Sequence, residues 1–253
     1  MVNDLAASTG LSREVIIYHL DLSSLIDDLF SQITEKGVET MHLFGGTAIN
    51  RAFFGKNQRF SIDLDLNYNG SDMGKATSEL RAILGPAGYK VGKQEWMNSK
   101  HTLKRLFVES TGGRRAGFDI DIHLKKEDAP YKRLVLHSIT EYFGYMPIKT
   151  IAQSYTFEFL LAGKLFALKD RALDRDVYDT YMCLQETADY GKVRKYIEEY
   201  ESFPQLVGII NNKLEKLVET NRKIEISRYI PSYCIRDFNL MASEINRKLM
   251  GMV

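Results

Sequence analysis

The segment from Met41 to Tyr68 constrains this chain more than any other. An apolar run, Met41-His42-Leu43-Phe44, stops at Gly45-Gly46, and a second run opens with Asp63-Leu64-Asp65 and continues Leu66-Asn67-Tyr68. The pattern predicts strand, glycine turn, helix, loop and strand. Side chains alternate between the two faces of a strand. Ser61, Asp63 and Asp65 are therefore expected on one face, with Ile62, Leu64 and Leu66 directed to a core. Two carboxylates two residues apart repel each other unless a cation lies between them. A hard cation with oxygen ligands, Mg²⁺ or Mn²⁺, suits that place. Gly45 and Gly46 let the backbone approach a ligand closely, and the helix start after them offers free N–H groups to an anion. A phosphate at the glycines beside a metal at the aspartates suits phosphoryl chemistry.

A Gly-Gly turn followed by a strand Asp-x-Asp resembles the signature of the polymerase-β-like nucleotidyltransferases. The fuller form, Gly45-Gly46-Thr47-Ala48 and then Arg59-Phe60-Ser61-Ile62-Asp63-Leu64-Asp65, resembles the AbiEii-type nucleotidyltransferase toxin family. The resemblance implies an α+β fold: a core with a mixed β-sheet flanked by helices, followed by a C-terminal helical domain that closes a cleft. It implies Asp63 and Asp65 as catalytic metal ligands for Mg²⁺ or Mn²⁺. It places Gly45, Gly46, Thr47 and Ser61 against the triphosphate of an NTP, with Arg59 either a phosphate contact or a loop anchor.

Such enzymes need a third carboxylate on a neighbouring strand. The run Gly117 to Leu124 has Asp119 and Asp121 on one face and Phe118, Ile120 and Ile122 on the other. Asp121 matches the family pattern, an acid followed by an apolar and then a polar residue (Ile122-His123), and Asp119 is the fallback. Two further strands are expected at Tyr89–Trp96 and Thr102–Glu109, with a hairpin at Gly112-Gly113-Arg114-Arg115. Lys100, Lys104, Arg105, Arg114 and Arg115 cluster around these strands. They read either as holders of a nucleic-acid backbone or as a solvated hairpin face. A helix is expected over Ser71 to Leu84, capped by Ser71 and Asp72.

Upstream, Leu5 to Leu20 resembles half of a helix-turn-helix turning at Gly10, with Arg13 and His19 as its obvious donors; a packing element is the alternative. Leu22, Leu25, Ile26, Leu29, Phe30 and Ile33 follow at helical spacing, stopped by Gly37. Downstream, Pro147 and the polar stretch Lys149 to Ser154 read as a junction, dividing residues 1–150, the nucleotidyltransferase core, from 151–253, the helical domain. One or two helices follow from Phe157. They carry Lys164-Leu165-Phe166-Ala167, Arg171 and Arg175-Asp176-Val177-Tyr178-Asp179, which is similar to a second AbiEii-type motif. The resemblance implies that Lys164 is catalytic and, with Arg171, contacts the nucleotide phosphates. Asp176 would orient Lys164 or Arg171. A surface helix laced with ion pairs is the plainer reading.

Composition excludes little else. The formal net charge of 253 residues is +1, so no global attraction to nucleic acid or membrane follows. No apolar run approaches the roughly 20 residues of a membrane span. Two cysteines, Cys183 and Cys234, form no ligand pattern, and a reduced cytoplasmic protein is expected. The expected activity is transfer of a nucleoside monophosphate from an NTP to an acceptor hydroxyl. The resemblance suggests tRNA or another RNA 3′ end as acceptor, and a cognate antitoxin as partner. A non-catalytic nucleotide- or RNA-binding module, or nucleotidylation of a protein or small molecule, are the rival readings.

Overall fold

The structure, a computed structural model, describes residues 1–112, 117–125, 130–145, 149–219 and 225–253. Arg114, Arg115 and Pro147 lie outside the described residues. The chain forms two compact units, Met1–Tyr155 and Thr156–Val253.

The first unit opens with helix α1 (Val2–Thr9), ended by Gly10 in the left-handed region. Helix α2 (Arg13–Glu35) starts at Ser12, whose hydroxyl accepts from the Val15 N–H. It is one continuous helix, and Leu22, Leu25, Ile26, Leu29 and Ile33 form its buried stripe. Of the two donors on the half helix-turn-helix, Arg13 is exposed and His19 is not. His19 is buried in the packing, because its position falls on the apolar stripe that α2 turns inward.

Strand β1 (Met41–Phe44) runs directly into helix α3 (Gly45–Phe53). Strand β2 (Asp63–Tyr68) follows, then helix α4 (Met73–Leu84), capped by the Asp72 carboxylate on the Lys75 N–H. Strands β3 (Tyr89–Trp96), β4 (Leu103–Ser110) and β5 (Gly117–Leu124) complete a five-stranded sheet of order β1-β2-β5-β4-β3. Only β2 and β5 are parallel; every other neighbour is antiparallel. One face of the sheet buries Leu64, Leu66, Leu106, Val108, Phe118, Ile120 and Ile122. Tyr18 of α2 reaches this sheet, donating to the Ile62 carbonyl and lying 5.3 Å from the Phe118 ring. Ile62 itself is 36% exposed, because it precedes the first paired residue of β2 and so escapes the alternation.

The stretch Lys149–Ser154 is not a junction. It is strand β7 (Lys149–Tyr155), which pairs antiparallel with β6 (Tyr131–His137) in a second sheet. Its inward residues, Thr150, Ala152 and Ser154, are small or polar, so no apolar alternation marks it in the sequence. They bond instead of merely packing. Ser154 Oγ donates to the Leu43 carbonyl at 2.6 Å, and Thr150 Oγ1 to Asp27 at 2.8 Å. Tyr155, buried to 1%, accepts from Asn67 at 2.7 Å. The strand thus belongs to the first unit.

The second unit is helical: α5 (Phe157–Asp170), α6 (Asp174–Gln185), α7 (Tyr190–Glu198), α8 (Phe203–Glu219) and α9 (Phe238–Met250). Its core takes Leu161, Leu165, Leu168, Val177, Ile197, Leu206, Ile210, Leu214 and Ile245. Cys183 and Cys234 are both buried.

Candidate active site

The parallel pairing of β2 with β5 sets Asp63 level with Asp119 and Asp65 level with Asp121. Residues level on adjacent strands share a face. Four carboxylates are thus gathered opposite the core face. On the far side of β5, β4 sets Arg105 level with Asp121. Arg105 donates from Nε and Nη2 to the two oxygens of Asp121, both at 2.7 Å, and its Nη1 stands 3.6 Å from Asp119. Hydrogen bonding to Asp121 holds the guanidinium more firmly charged than usual, and the charges of Asp121, Asp119 and Asp63 add to it. Asp121 is 7% exposed. Two residues on, His123 places Nε2 3.5 Å from Asp65, and the ring of Phe44 meets the imidazole edge-on at 5.0 Å.

Helix α3 starts against this face. Its N-cap residue, Phe44, gives no side-chain cap, so the first N–H groups of the helix remain open to an anion. Gly45 adopts φ +73°, and a Cβ there would come within 2.2 Å of the Asp65 carboxylate. Only glycine lets the helix begin so close to that acid. Thr47, 1% exposed, donates to the Asp63 carbonyl at 2.8 Å and ties α3 to the start of β2. Asn50 donates back to the Gly46 carbonyl and accepts from the Arg59 N–H at 2.9 Å. Arg59 is 5% exposed and its Nη1 reaches the Phe60 carbonyl at 3.5 Å. Ser61 is 2% exposed, with its hydroxyl unpartnered among the described residues.

Hard oxygen donors at Asp63 and Asp65 fit a divalent cation in kind. Arg105 already spans Asp121, however. Among the described residues, no three His, Cys, Asp or Glu side chains are gathered closely enough to hold a metal.

In the second unit, Lys164 on α5 is 6% exposed and pairs at 2.6 Å with Asp179 of α6, which is fully buried. Arg171, just past the end of α5, donates from Nε at 2.8 Å and Nη2 at 2.9 Å to the fully buried Asp176. Asp176 also accepts from the Leu173 N–H at 3.2 Å.

A family model, "Nucleotidyl transferase AbiEii toxin, Type IV TA system", matches residues 29–245. The chain belongs to the AbiEii nucleotidyltransferase toxin family. No curated protein sequence matches it. Among solved structures it is similar to MenT4, a nucleotidyltransferase toxin from Mycobacterium tuberculosis H37Rv. That likeness has 15% identity and a TM-score of 0.62, over 99% of this chain and 89% of that one. It shows the fold. A second likeness is to the CdnE cyclic dinucleotide synthase of Elizabethkingia meningoseptica with GTP and Apcpp. There the identity is 11% and the TM-score 0.30, over 90% of each chain, too low to bear on this fold.

The first AbiEii motif is thereby gathered on one face: Gly45, Thr47, Asp63 and Asp65 with Asp119 and Asp121. Of the two partners that the sequence left open for Asp176, the structure gives it Arg171. Asp176 serves Arg171 alone among the alternatives considered, and Asp179 holds Lys164. Lys164 is also no surface ion-pair partner, since both it and Asp179 are buried. Arg105, one of the basic residues expected either on a nucleic-acid-binding face or on a solvated hairpin face, instead grips Asp121. Only the register of β4 on β5 reveals this. Lys104 of the same cluster lies over the exposed Trp96 ring at 5.0 Å.

Proposed function

We propose that this AbiEii family member transfers a nucleoside monophosphate from an NTP to the 3′ hydroxyl of an RNA, tRNA foremost. The observation that carries the reading is the level pairing of Asp63 and Asp65 with Asp119 and Asp121, beside the open start of α3. The acceptor oxygen forms a bond to the α-phosphorus, the bond to the bridging oxygen breaks, and pyrophosphate leaves. Asp121 receives the hydroxyl proton once Arg105 releases it. Gly45, Gly46, Thr47 and Ser61 border the place for the triphosphate. Arg59, buried against the Phe60 carbonyl, is read as the anchor of that loop. A divalent cation, Mg²⁺ or Mn²⁺, would be held by Asp63 and Asp65 with Asp121 (Asp119 in reserve), and when bound it supplies positive charge to the phosphates. Lys164 and Arg171 are assigned to the nucleotide phosphates on the family's motif, with Asp179 and Asp176 orienting them.

The family description supports a toxin role, a cognate antitoxin protein as partner and a cytoplasmic site of action. Among the described residues no helix is long and apolar enough to cross a membrane.

The test is incubation with each α-labelled NTP and total cellular RNA, read on a gel. Label is expected in an RNA band with wild type and not with Asp63→Ala/Asp65→Ala. One observation favours a second, binding-only reading: Arg105 already occupies both oxygens of Asp121. Nucleotide binding without any labelled product, on RNA, protein or small molecules, would select it.

A further inference from the structure

Arg51 lies on α3 and is 3% exposed, yet its Nε and Nη2 are buried with no hydrogen-bond partner among the described residues. Withdrawing a guanidinium from water costs several kcal/mol unless a counter-charge and hydrogen bonds restore what water gave. Among the described residues no acid does so. Burial is the one influence on its pKa, which falls to about 10. A second orphaned group belongs to the same packing. His19 is 1% exposed with neither ring nitrogen bonded, and its ring stacks on Phe60 at 4.1 Å. Burial and the nearby Arg51 charge both keep that imidazole neutral. The bond from the Arg59 N–H to Asn50 fastens the Phe60 segment to the residue preceding Arg51. The Gln58 amide oxygen is also unbonded, while its nitrogen is held by the Gly55 and His137 carbonyls. A neutral amide oxygen does not offset a full positive charge.

Buried donors without acceptors are rare in native proteins and call for a ligand that accepts from them. We propose that Arg51 and His19 form a buried anion site that takes a phosphate group, either free as phosphate or pyrophosphate or as part of a nucleotide's phosphate chain. Guanidinium and imidazole N–H are both donors to phosphate oxygens, and a planar guanidinium can hold two of them at once. The nucleotide arm of this proposal rests on the transfer reading; the free-anion arm does not.

The experiment measures melting and calorimetric binding with phosphate, pyrophosphate and a non-hydrolysable NTP, at constant ionic strength set with chloride. Wild type is expected to gain on the order of 5–10 °C at a hundredfold excess of pyrophosphate over its Kd. Arg51→Met, which keeps the length and removes the charge, is expected to melt at or above wild type without anion and to lose the pyrophosphate response. Should Arg51→Met not fold, Arg51→Lys keeps the charge without the fork and is expected to weaken pyrophosphate by about tenfold. Two results overturn the proposal: an anion response that survives these Arg51 changes, or no response in wild type. Pyrophosphate binding that depends on Arg51 without any labelling of RNA leaves the site standing and removes the transfer reading. RNA labelling with an anion response indifferent to Arg51 does the reverse. A response to the NTP alone assigns the site to the nucleotide.

Discussion

Arg105 holds both oxygens of Asp121 at 2.7 Å, across the antiparallel pairing of β4 with β5. An internal cation thus stands on the acid that the family pattern assigns to catalysis. Arg105→Met is expected to cost about 1.5–3 kcal/mol of stability, because it leaves a mostly buried carboxylate unpaired. Arg105→Lys should recover only part, since a point charge does not span two oxygens. Urea unfolding of the single variants and of Arg105→Met/Asp121→Asn gives the coupling between the two. A coupling near zero would show that the pair contributes nothing.

Removing Asp63 and Asp65 together, each to Ala, should reduce nucleotidyl transfer by about 100-fold or more. The melting temperature should hold or rise, since repulsion between neighbouring carboxylates is relieved. Transfer at the wild-type rate would remove both residues from the chemistry.

Gly45 and Gly37 separate backbone strain from the clash with Asp65. Both have positive φ, but a Cβ at Gly37 meets nothing within 4 Å, whereas at Gly45 it meets the Asp65 carboxylate. Gly37→Ala should therefore cost only about 1–2 kcal/mol. Gly45→Ala should cost more and should also impair transfer by moving Asp65. Equal costs in thermal unfolding and unchanged activity would contradict the close approach.

Lys164→Ala should destabilise the chain by about 3–5 kcal/mol, because Asp179 is fully buried and would lose the Lys164 charge. The double variant Lys164→Met/Asp179→Leu should regain most of that loss. Its activity then decides the role of Lys164. Stable and inactive means a nucleotide contact, and stable and active means a packing element.

Acid should weaken the fold before its carboxylates titrate. His42 is buried against Tyr131, with the rings 3.7 Å apart, and burial lowers its pKa from 6.5 to about 4. The unfolded chain takes up the proton first, so stability is full above about pH 6.5 and falls as the pH drops toward 4. His42→Phe, which keeps the stacking, should flatten this loss by roughly 2–3 kcal/mol at pH 4. Parallel stability curves for the two proteins would rule His42 out as the source.

Some of this was legible in the sequence and some was not. Asp63, Asp65, Asp119 and Asp121 announce themselves because apolar neighbours alternate with them, and alternation is a local property. The glycine turn is equally local, and the need for it lies in φ +73° at Gly45. Arg105 on Asp121 and Lys164 on Asp179 depend on strand register and on the turn between two helices, neither of which any short window contains. Strand β7 escaped notice because Thr150, Ala152 and Ser154 face inward through hydrogen bonds and small size, without an apolar signature. The burial of His19 and Arg51 was hidden for the opposite reason: charged or polar residues on an inward face contradict the usual reading of such a helix.

The parallel pairing of β2 with β5 also has a temporal side. Asp63 meets Asp119, and Asp65 meets Asp121, only after two intervening strands and a helix have been made. Such long-range pairing forms late in folding, after the loop-closure entropy has been met. While a ribosome is still synthesising the chain, β2 has β1 as its sole available neighbour in the sheet, and the acids stand apart. A nascent or truncated chain that ends before β5 therefore carries half of the carboxylate face. Its acidic face is complete only once β5 has joined β2.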